Sequence, residues 1–458
     1  MNALPELNPL LLLACAILGV AAGVVLLMSK RASLLLVATM LFFASIGFYA
    51  DFYGFVAKNF LWPIPYYRAE IFAALGLLMY AWILGHWGKI HISNIAPQMV
   101  VVILMAFFAA LVRMIHNGPV DGGTSIIFTS LTLVPLALAL PAALDDEEQW
   151  INMLRLLALM SAAYLAASLV QLVVNRSILT RPPANRFTGL SGNPQYVAVT
   201  FSVYAVVTAW LLLFDPKKRF RLLWAGLLGA QLIVLAWTGS RTGAGMVVVG
   251  ACFAFYRRFG KLVLIAPFAL LAAYLFYDIF LAGQGVELVT SRLVSTENTR
   301  EGAWRTQWQQ FMASPIIGVG VTETESENSY LYAISAFGIG MGLLIGLLIL
   351  VSGVLCLKLF ARRHMLPPHL RSLADLTIAY HALYFAGGFF EGYMVARVGT
   401  HIIFMAIFSA IMAQLIRQTQ LAPYTGVVPQ LADAPTDDWE ENAVYGDYGN
   451  QPNALPQA

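Results

Sequence analysis

Three segments of the chain combine arginine with glycine, asparagine or hydroxyl residues where the sequence turns into an apolar stretch. They are Arg186-Phe187-Thr188-Gly189-Leu190-Ser191-Gly192-Asn193-Pro194-Gln195, Thr238-Gly239-Ser240-Arg241-Thr242-Gly243, and a run from Thr299-Arg300-Glu301 through Trp304 and Arg305 to Pro315-Ile316-Ile317-Gly318-Val319-Gly320. The third continues through Glu323, Glu325 and Glu327 to Asn328, Ser329 and Tyr330. Guanidinium is a planar, permanently charged fork that suits bidentate phosphate binding, so the chemistry these residues could do is the binding of an anion. Arg241 is pinned between two apolar stretches, where a charge is costly unless it faces a polar cavity or a partner. Arg300 and Arg305 are five positions apart, about 140 degrees around a regular helix, so they do not aim at one point. Glu327 abuts an apolar helix beside two hydrogen-bonding side chains, whereas Glu323 and Glu325 read as a solvated loop. For Gly189, Gly192 and Asn193 the simpler reading is an ordinary loop with Asn193 capping the next helix, a reading that does not require Arg186. Glu391 and Arg397 bracket another turn, either as an ion pair closing a helical hairpin or as substrate contacts, and His381 reads as a hydrogen-bonded packing residue.

The elements that must position these groups are membrane helices. Of the 458 residues, 59% are apolar and 11% charged, less than half the charged share of an ordinary soluble domain. Roughly 20 helical residues cross a hydrocarbon layer, and apolar stretches of that length recur from Leu10 to Ile416. No alternation of period two points to a β-barrel. The expected fold is an all-α polytopic membrane protein of about 12–13 transmembrane helices, starting near residues 9, 32, 68, 97, 124, 151, 193, 220, 242, 261, 329, 372 and 398. The first reads as a retained helix, because Glu6 is the only charge ahead of it. Residues 1–281 then carry helices 1–10, 282–328 form a long loop, 329–418 carry helices 11–13, and 419–458 form a disordered acidic tail. Cys15, Cys252 and Cys356 lie far apart in apolar stretches, so neither a metal site nor a disulfide framework is expected.

Sidedness follows from the cytoplasmic excess of Lys and Arg. The net charge of +3, with six acidic residues in the tail, leaves +9 on the remaining chain. An outside N-terminus and inside C-terminus put 16 of the 27 basic residues in the cytoplasm, among them Lys30-Arg31, Lys89, Arg155, Lys217 to Arg221, Arg257-Arg258-Lys261, Lys358 to Arg371 and Arg417. The remaining 11 then lie outside: Lys58 and the arginines 68, 113, 176, 181, 186, 241, 292, 300, 305 and 397. An outer set so dominated by arginine runs against the sorting rule and points to an outward-facing anion site, the simpler alternative for any one of them being a snorkelling headgroup contact. The long loop falls on the same side. Asn298 or Thr299 can cap a helix there that ends before Pro315, with Trp304, Trp308, Phe311 and Met312 on one face, an arrangement that suits the bilayer interface and a lid over the site.

The order Arg-x-x-Gly-x-x-x-Asn-Pro, then Ser-Arg in a short turn, then Arg-x-x-x-Trp with Pro-x-x-Gly-x-Gly and Asn-Ser-Tyr-Leu ahead of a Gly-rich helix resembles the O-antigen ligase and Wzy-type polymerase superfamily across Arg186 to Gly342. The resemblance implies a metal-independent, GT-C-like glycosyltransferase in a bacterial inner membrane. It implies donor and acceptor glycans on undecaprenyl pyrophosphate at the periplasmic face, no cofactor and no nucleic acid, with membrane lipid and a chain-length-regulating co-polymerase as partners. Arg241 matches the essential arginine of the short turn and Arg300 the loop arginine. The ligases carry a histidine before Asn, Ser or Gln where this chain has Glu327 before Asn328, which favours a polymerase over a ligase. Transfer from a pyrophosphate needs stabilisation of the leaving group, given to Arg241 and Arg300, and gains from a base for the acceptor hydroxyl, given to Glu327 with Glu301 and Glu391 behind it. Arg186, Asn193, Ser240, Trp304, Arg305, Asn328, Glu391 and Arg397 form the expected substrate-binding set. A transporter is the non-enzyme alternative, although the chain shows no internal repeat and its candidate residues cluster at one face.

Overall fold

A computed structural model describes residues 30–47, 59–174, 179–181, 186–263, 300–321, 327–394 and 399–421. The expected span near residue 9, most of the one near 261, the start of the long loop, nearly all of the acidic tail, and Lys58, Arg176, Arg292 and Arg397 lie outside them. The chain is an all-α polytopic membrane protein. Its main helices are α1 (Lys30–Ser45), α2 (Arg68–Gly85), α3 (Pro97–Asn117), α4 (Pro119–Ala143), α5 (Glu147–Val174), α6 (Pro194–Phe214), α7 (Arg221–Thr238), α8 (Arg241–Phe259), α9 (Glu301–Ala313), α10 (Ser329–Phe337), α11 (Ile339–Arg362), α12 (Pro368–Gly388) and α13 (Thr400–Leu421). Before α6, a two-residue β1 (Thr180–Arg181) pairs antiparallel with β2 (Arg186–Phe187).

Among the described residues, eight helices are long and apolar enough to cross a membrane. The expected 12–13 included α8 and α12, which have spanning length at 19 and 21 residues. Both, however, carry several charged or imidazole groups, including Arg257, Arg258, Asp375 and His381. The expected eleventh span is corrected: it begins at Ser329 but breaks at Gly338, leaving the nine-residue α10 as a separate piece ahead of α11. Gly338 has φ +79°, and a Cβ there would lie 2.1 Å from the Ile316 carbonyl oxygen, so the chain must turn where only glycine fits. Residues 315–320 run along this break, with Val319 N donating to Ser335 O at 2.8 Å and Ile339 N to Pro315 O at 2.8 Å.

Small residues let the helices around α8 approach closely. A Cβ on Gly243 would sit 2.7 Å from Ala198 Cβ of α6, and one on Gly250 2.7 Å from Val206 and 2.9 Å from Leu383 of α12. These two glycines, seven positions apart on one helical face, seat α8 between α6 and α12. A proline works the same way in α4: Pro135 lacks the N–H that would bond the Leu131 carbonyl, and Gly76 of α2 lies against that carbonyl.

The bundle has two chemically different ends. At one, the Asp215 carboxylate receives Arg155 Nη2 at 2.5 Å, Arg155 Nε at 3.0 Å, Trp224 Nε1 at 3.0 Å and Lys217 N at 2.9 Å. Burial pushes that carboxyl up, and these hydrogen bonds outweigh it and hold it below its ordinary value. Arg363 meets Asp375 at 2.9 Å at the same end. At the other end lie the start of α6, the α7–α8 turn, α9, the start of α10, the end of α12 and the start of α13. Arg186 Nε donates to Thr238 O at 2.6 Å, and the Tyr196 and Thr400 hydroxyls hydrogen-bond at 2.6 Å. All three arginine-bearing segments are at this end.

Candidate functional site

The site is built from four separate stretches of sequence. The α7–α8 reversal takes two residues: Gly239 ends α7 at φ +58° and Ser240 caps α8, its Oγ accepting from Gly243 N at 3.3 Å. A left-handed glycine followed by a hydroxyl cap is what a tight helix-to-helix turn needs, and it leaves Arg241 and Thr242 on the first turn of α8. Arg241 is exposed; Thr242 is buried and hydrogen-bonds the Glu391 carboxylate.

Asn328 and Ser329 fix the opposite wall. The Asn328 Oδ1 caps α10, accepting from Tyr330 N at 2.9 Å and Leu331 N at 3.0 Å, while its Nδ2 donates to Phe389 O at 2.8 Å. The Ser329 hydroxyl donates to Glu391 O at 2.6 Å and accepts from Tyr393 N at 3.0 Å and Met394 N at 3.2 Å. The turn after α12 is thereby stapled to the start of α10, which sets where the Glu391 side chain leaves the backbone.

Arg300 closes the arrangement. Its Nη2 meets Glu391 Oε1 at 2.5 Å, its Nε lies 3.6 Å from Glu327 Oε2, and its Nη1 donates to Glu327 O at 3.3 Å. The side chains of Arg300 and Glu391 are 15% and 12% exposed, that of Glu327 37%. Thr242, Glu391, Arg300 and Glu327 therefore form one connected cluster, and Arg241 is the residue before Thr242 in the chain. Burial pushes the Glu391 carboxyl up to about 7 against the pull of Arg300, with the Glu327 charge adding to the rise and the Thr242 hydrogen bond opposing it. A carboxyl poised there changes protonation state near neutral pH.

The other expected residues fall in different places. Arg186 is bound to the last carbonyl of α7, that of Thr238, three residues before Arg241 in the chain. Asn193 caps α6, accepting from Gln195 N at 2.9 Å and Tyr196 N at 3.4 Å. Arg305 is not brought together with Arg300: it pairs with Glu301 at 3.1 Å, both side chains more than two-thirds exposed. Trp304 is half-buried, with Nε1 enclosed and accepted by no group. Trp308 and Met312 are exposed on the expected apolar face. The position before α9 is Arg300, which makes no side-chain cap; Asn298 and Thr299 lie outside the described residues. Arg397 does too, and Glu391, expected either to pair with it or to meet substrate, is held by Arg300. His381 is buried in α12, its Nδ1 against Thr377 O at 2.9 Å.

Sequence reasoning assigned no role to Thr242 or Ser329. Each directly follows a residue that was singled out, and a hydroxyl one position past an arginine or a cap is the signal that was there to use. The sequence matches no protein-family model and no curated protein.

Proposed function

We propose that the chain is a glycosyltransferase of the O-antigen ligase and Wzy-type polymerase superfamily, extending an undecaprenyl-pyrophosphate-linked glycan at the periplasmic face of the inner membrane. The observation that carries the reading is the joining of Thr242, Arg300, Glu327 and Glu391, from segments up to about 150 residues apart in sequence, at the end of the bundle opposite the Arg155, Lys217 and Arg363 clusters. Cationic forks beside a buried carboxyl are what transfer from a pyrophosphate requires.

In this reading Glu391 accepts the proton of an acceptor hydroxyl as its oxygen attacks the anomeric carbon of the donor sugar. The carbon–oxygen bond to phosphate breaks, and the pyrophosphate leaves with the electron pair, its charge met by guanidinium. Burial gives Glu391 the stronger claim to this role, since Glu327 is three times as exposed and Glu301 is bound to Arg305 on an open face. The acidic group at the ligase histidine position favours lipid-linked repeat units as acceptors; transfer to lipid A core or another carrier is the second reading.

The test is reconstitution of the full chain in proteoliposomes with a lipid-linked repeat unit. Chain extension on undecaprenyl pyrophosphate supports the polymerase. A product bonded to a different carrier supports the ligase. Anion movement with no change in glycan linkage supports a transporter. Arg241→Ala is expected to lower extension by about 10²- to 10³-fold, and full activity in that variant removes the arginine from the mechanism.

A further inference from the structure

Arg241 and Arg300 are alike in the sequence, each an arginine at the entry to a helix, yet their surroundings differ. The Arg300 guanidinium has each of its three nitrogens directed at acidic residues: Nη2 and Nε at the carboxylates of Glu391 and Glu327, and Nη1 at the Glu327 carbonyl. One cation facing two carboxyl groups leaves a local sum of zero or one negative charge, according to whether Glu391 holds its proton. Such a cluster offers a diphosphate no net attraction, because the Arg300 charge is already balanced by carboxylate. For a phosphate oxygen to reach Arg300 it would have to displace a carboxylate from a 2.5 Å contact in which both side chains are largely buried, and a carboxylate left there would lose its counter-charge. Arg241 is exposed on the first turn of α8, one residue from Thr242 and so one residue from a direct contact of Glu391.

We infer that Arg300 is a positioning residue: it holds Glu391 and Glu327 in fixed relation to each other, and the anionic end of the substrate is met by Arg241. The inference rests on the reading of the site as one for a pyrophosphate-linked glycan, and divides its labour. Three contacts fix Glu391 from independent elements. Ser329 takes its carbonyl, Thr242 and Arg300 its carboxylate, so both its backbone and its side chain are held. Arg241 and Glu391 then flank the place where the phosphate-bearing donor and the acceptor hydroxyl meet.

The experiment measures binding of undecaprenyl pyrophosphate to the purified full chain in detergent, together with extension kinetics, for the wild type and four variants. Arg241→Gln is expected to weaken binding about tenfold or more, the loss of a charge-assisted contact. Arg300→Gln is expected to change Kd by less than about threefold while lowering kcat by about 10²-fold, the loss of an aligned base. Its pH–rate profile moves to higher pH, because the Glu391 carboxyl loses the cation that pulls its titration down. A merely structural role for Arg300 would not move that midpoint. Arg300→Lys, which keeps the charge near Glu391, is expected to recover part of kcat and to return the midpoint toward that of the wild type. Glu391→Gln guards against misfolding of the arginine variants: it frees one arm of Arg300 without removing the cation, and Kd is expected to stay within about threefold. Loss of binding in Arg300→Gln equal to that in Arg241→Gln, or tightening of about tenfold in Glu391→Gln, overturns the inference and leaves the glycosyltransferase reading intact. A wild-type chain that binds no undecaprenyl pyrophosphate overturns both.

Discussion

Glu391 should act as a pH switch on the reaction. A base works in its ionised form, so the rate follows the carboxylate fraction. With titration at about 7, that fraction is about 1% at pH 5, about half at pH 7 and about 90% at pH 8, so the rate rises about 50-fold between pH 5 and pH 7 and then levels off. Replacing the carboxyl by an amide in Glu391→Gln should lower kcat by about 10²- to 10⁴-fold and abolish the acid limb. The same displacement affects stability. The unfolded carboxyl releases its proton near the ordinary value of 4.5 while the folded one keeps it to about 7, so stability falls as pH rises through that window and is flat above it. Glu391→Gln should remove that slope. The assay is extension of a lipid-linked repeat by the reconstituted full chain from pH 5 to 8, with thermal unfolding followed over the same range. A flat wild-type profile, or an acid limb that persists unchanged in Glu391→Gln, refutes the assignment of the base.

Other substitutions probe the frame around the site. Ser329→Ala removes one donated and two accepted hydrogen bonds on residues 391–394; thermal unfolding should show a loss of about 1–3 kcal/mol, and extension should drop with it. Gly243→Val places a side chain into Ala198, and overpacking of the α6–α8 seam should lower stability by about 1–3 kcal/mol in the same measurement. Arg155→Ala strands the Asp215 carboxylate, whose side chain is 0% exposed; the expected loss is about 3–5 kcal/mol, and a change below about 1 kcal/mol would mean that water or another cation takes its place. Arg305→Ala breaks a pair whose members are 71% and 67% exposed; unfolding should shift by less than about 0.5 kcal/mol, and extension should fall at least tenfold less than in Arg300→Ala.

The membrane class and helix ends were legible because they follow from local chemistry. Runs of apolar residues fix the length of a span, and Ser240, Asn193 and Asn328 cap the helices their residue types suggest. The separation of Arg300 from Arg305 followed from helical geometry alone. The break at Gly338 was not legible, since its cause is the carbonyl of Ile316, a contact between segments 22 residues apart. The pairing of Arg300 with Glu391 spans 91 residues and depends on the start of α9 being brought to the end of α12. Sequence offers Glu391 an ion pair with Arg397 or a substrate role, and neither points to Arg300. The sequence places Glu327 ahead of Glu391 as the base by nearness to a motif, while burial, which sets how readily a carboxyl takes a proton, is a property of the assembled bundle.

The most direct test is the structure of the full chain with a pyrophosphate-bearing polyprenyl lipid. The account predicts phosphate density within hydrogen-bonding distance of Arg241, with Arg300 still bound to Glu391 and the acceptor glycan next to the Glu391 carboxylate. Phosphate density at the opposite end of the bundle, beside Arg155 and Lys217, or a lipid headgroup that leaves Arg241 in solvent, contradicts it.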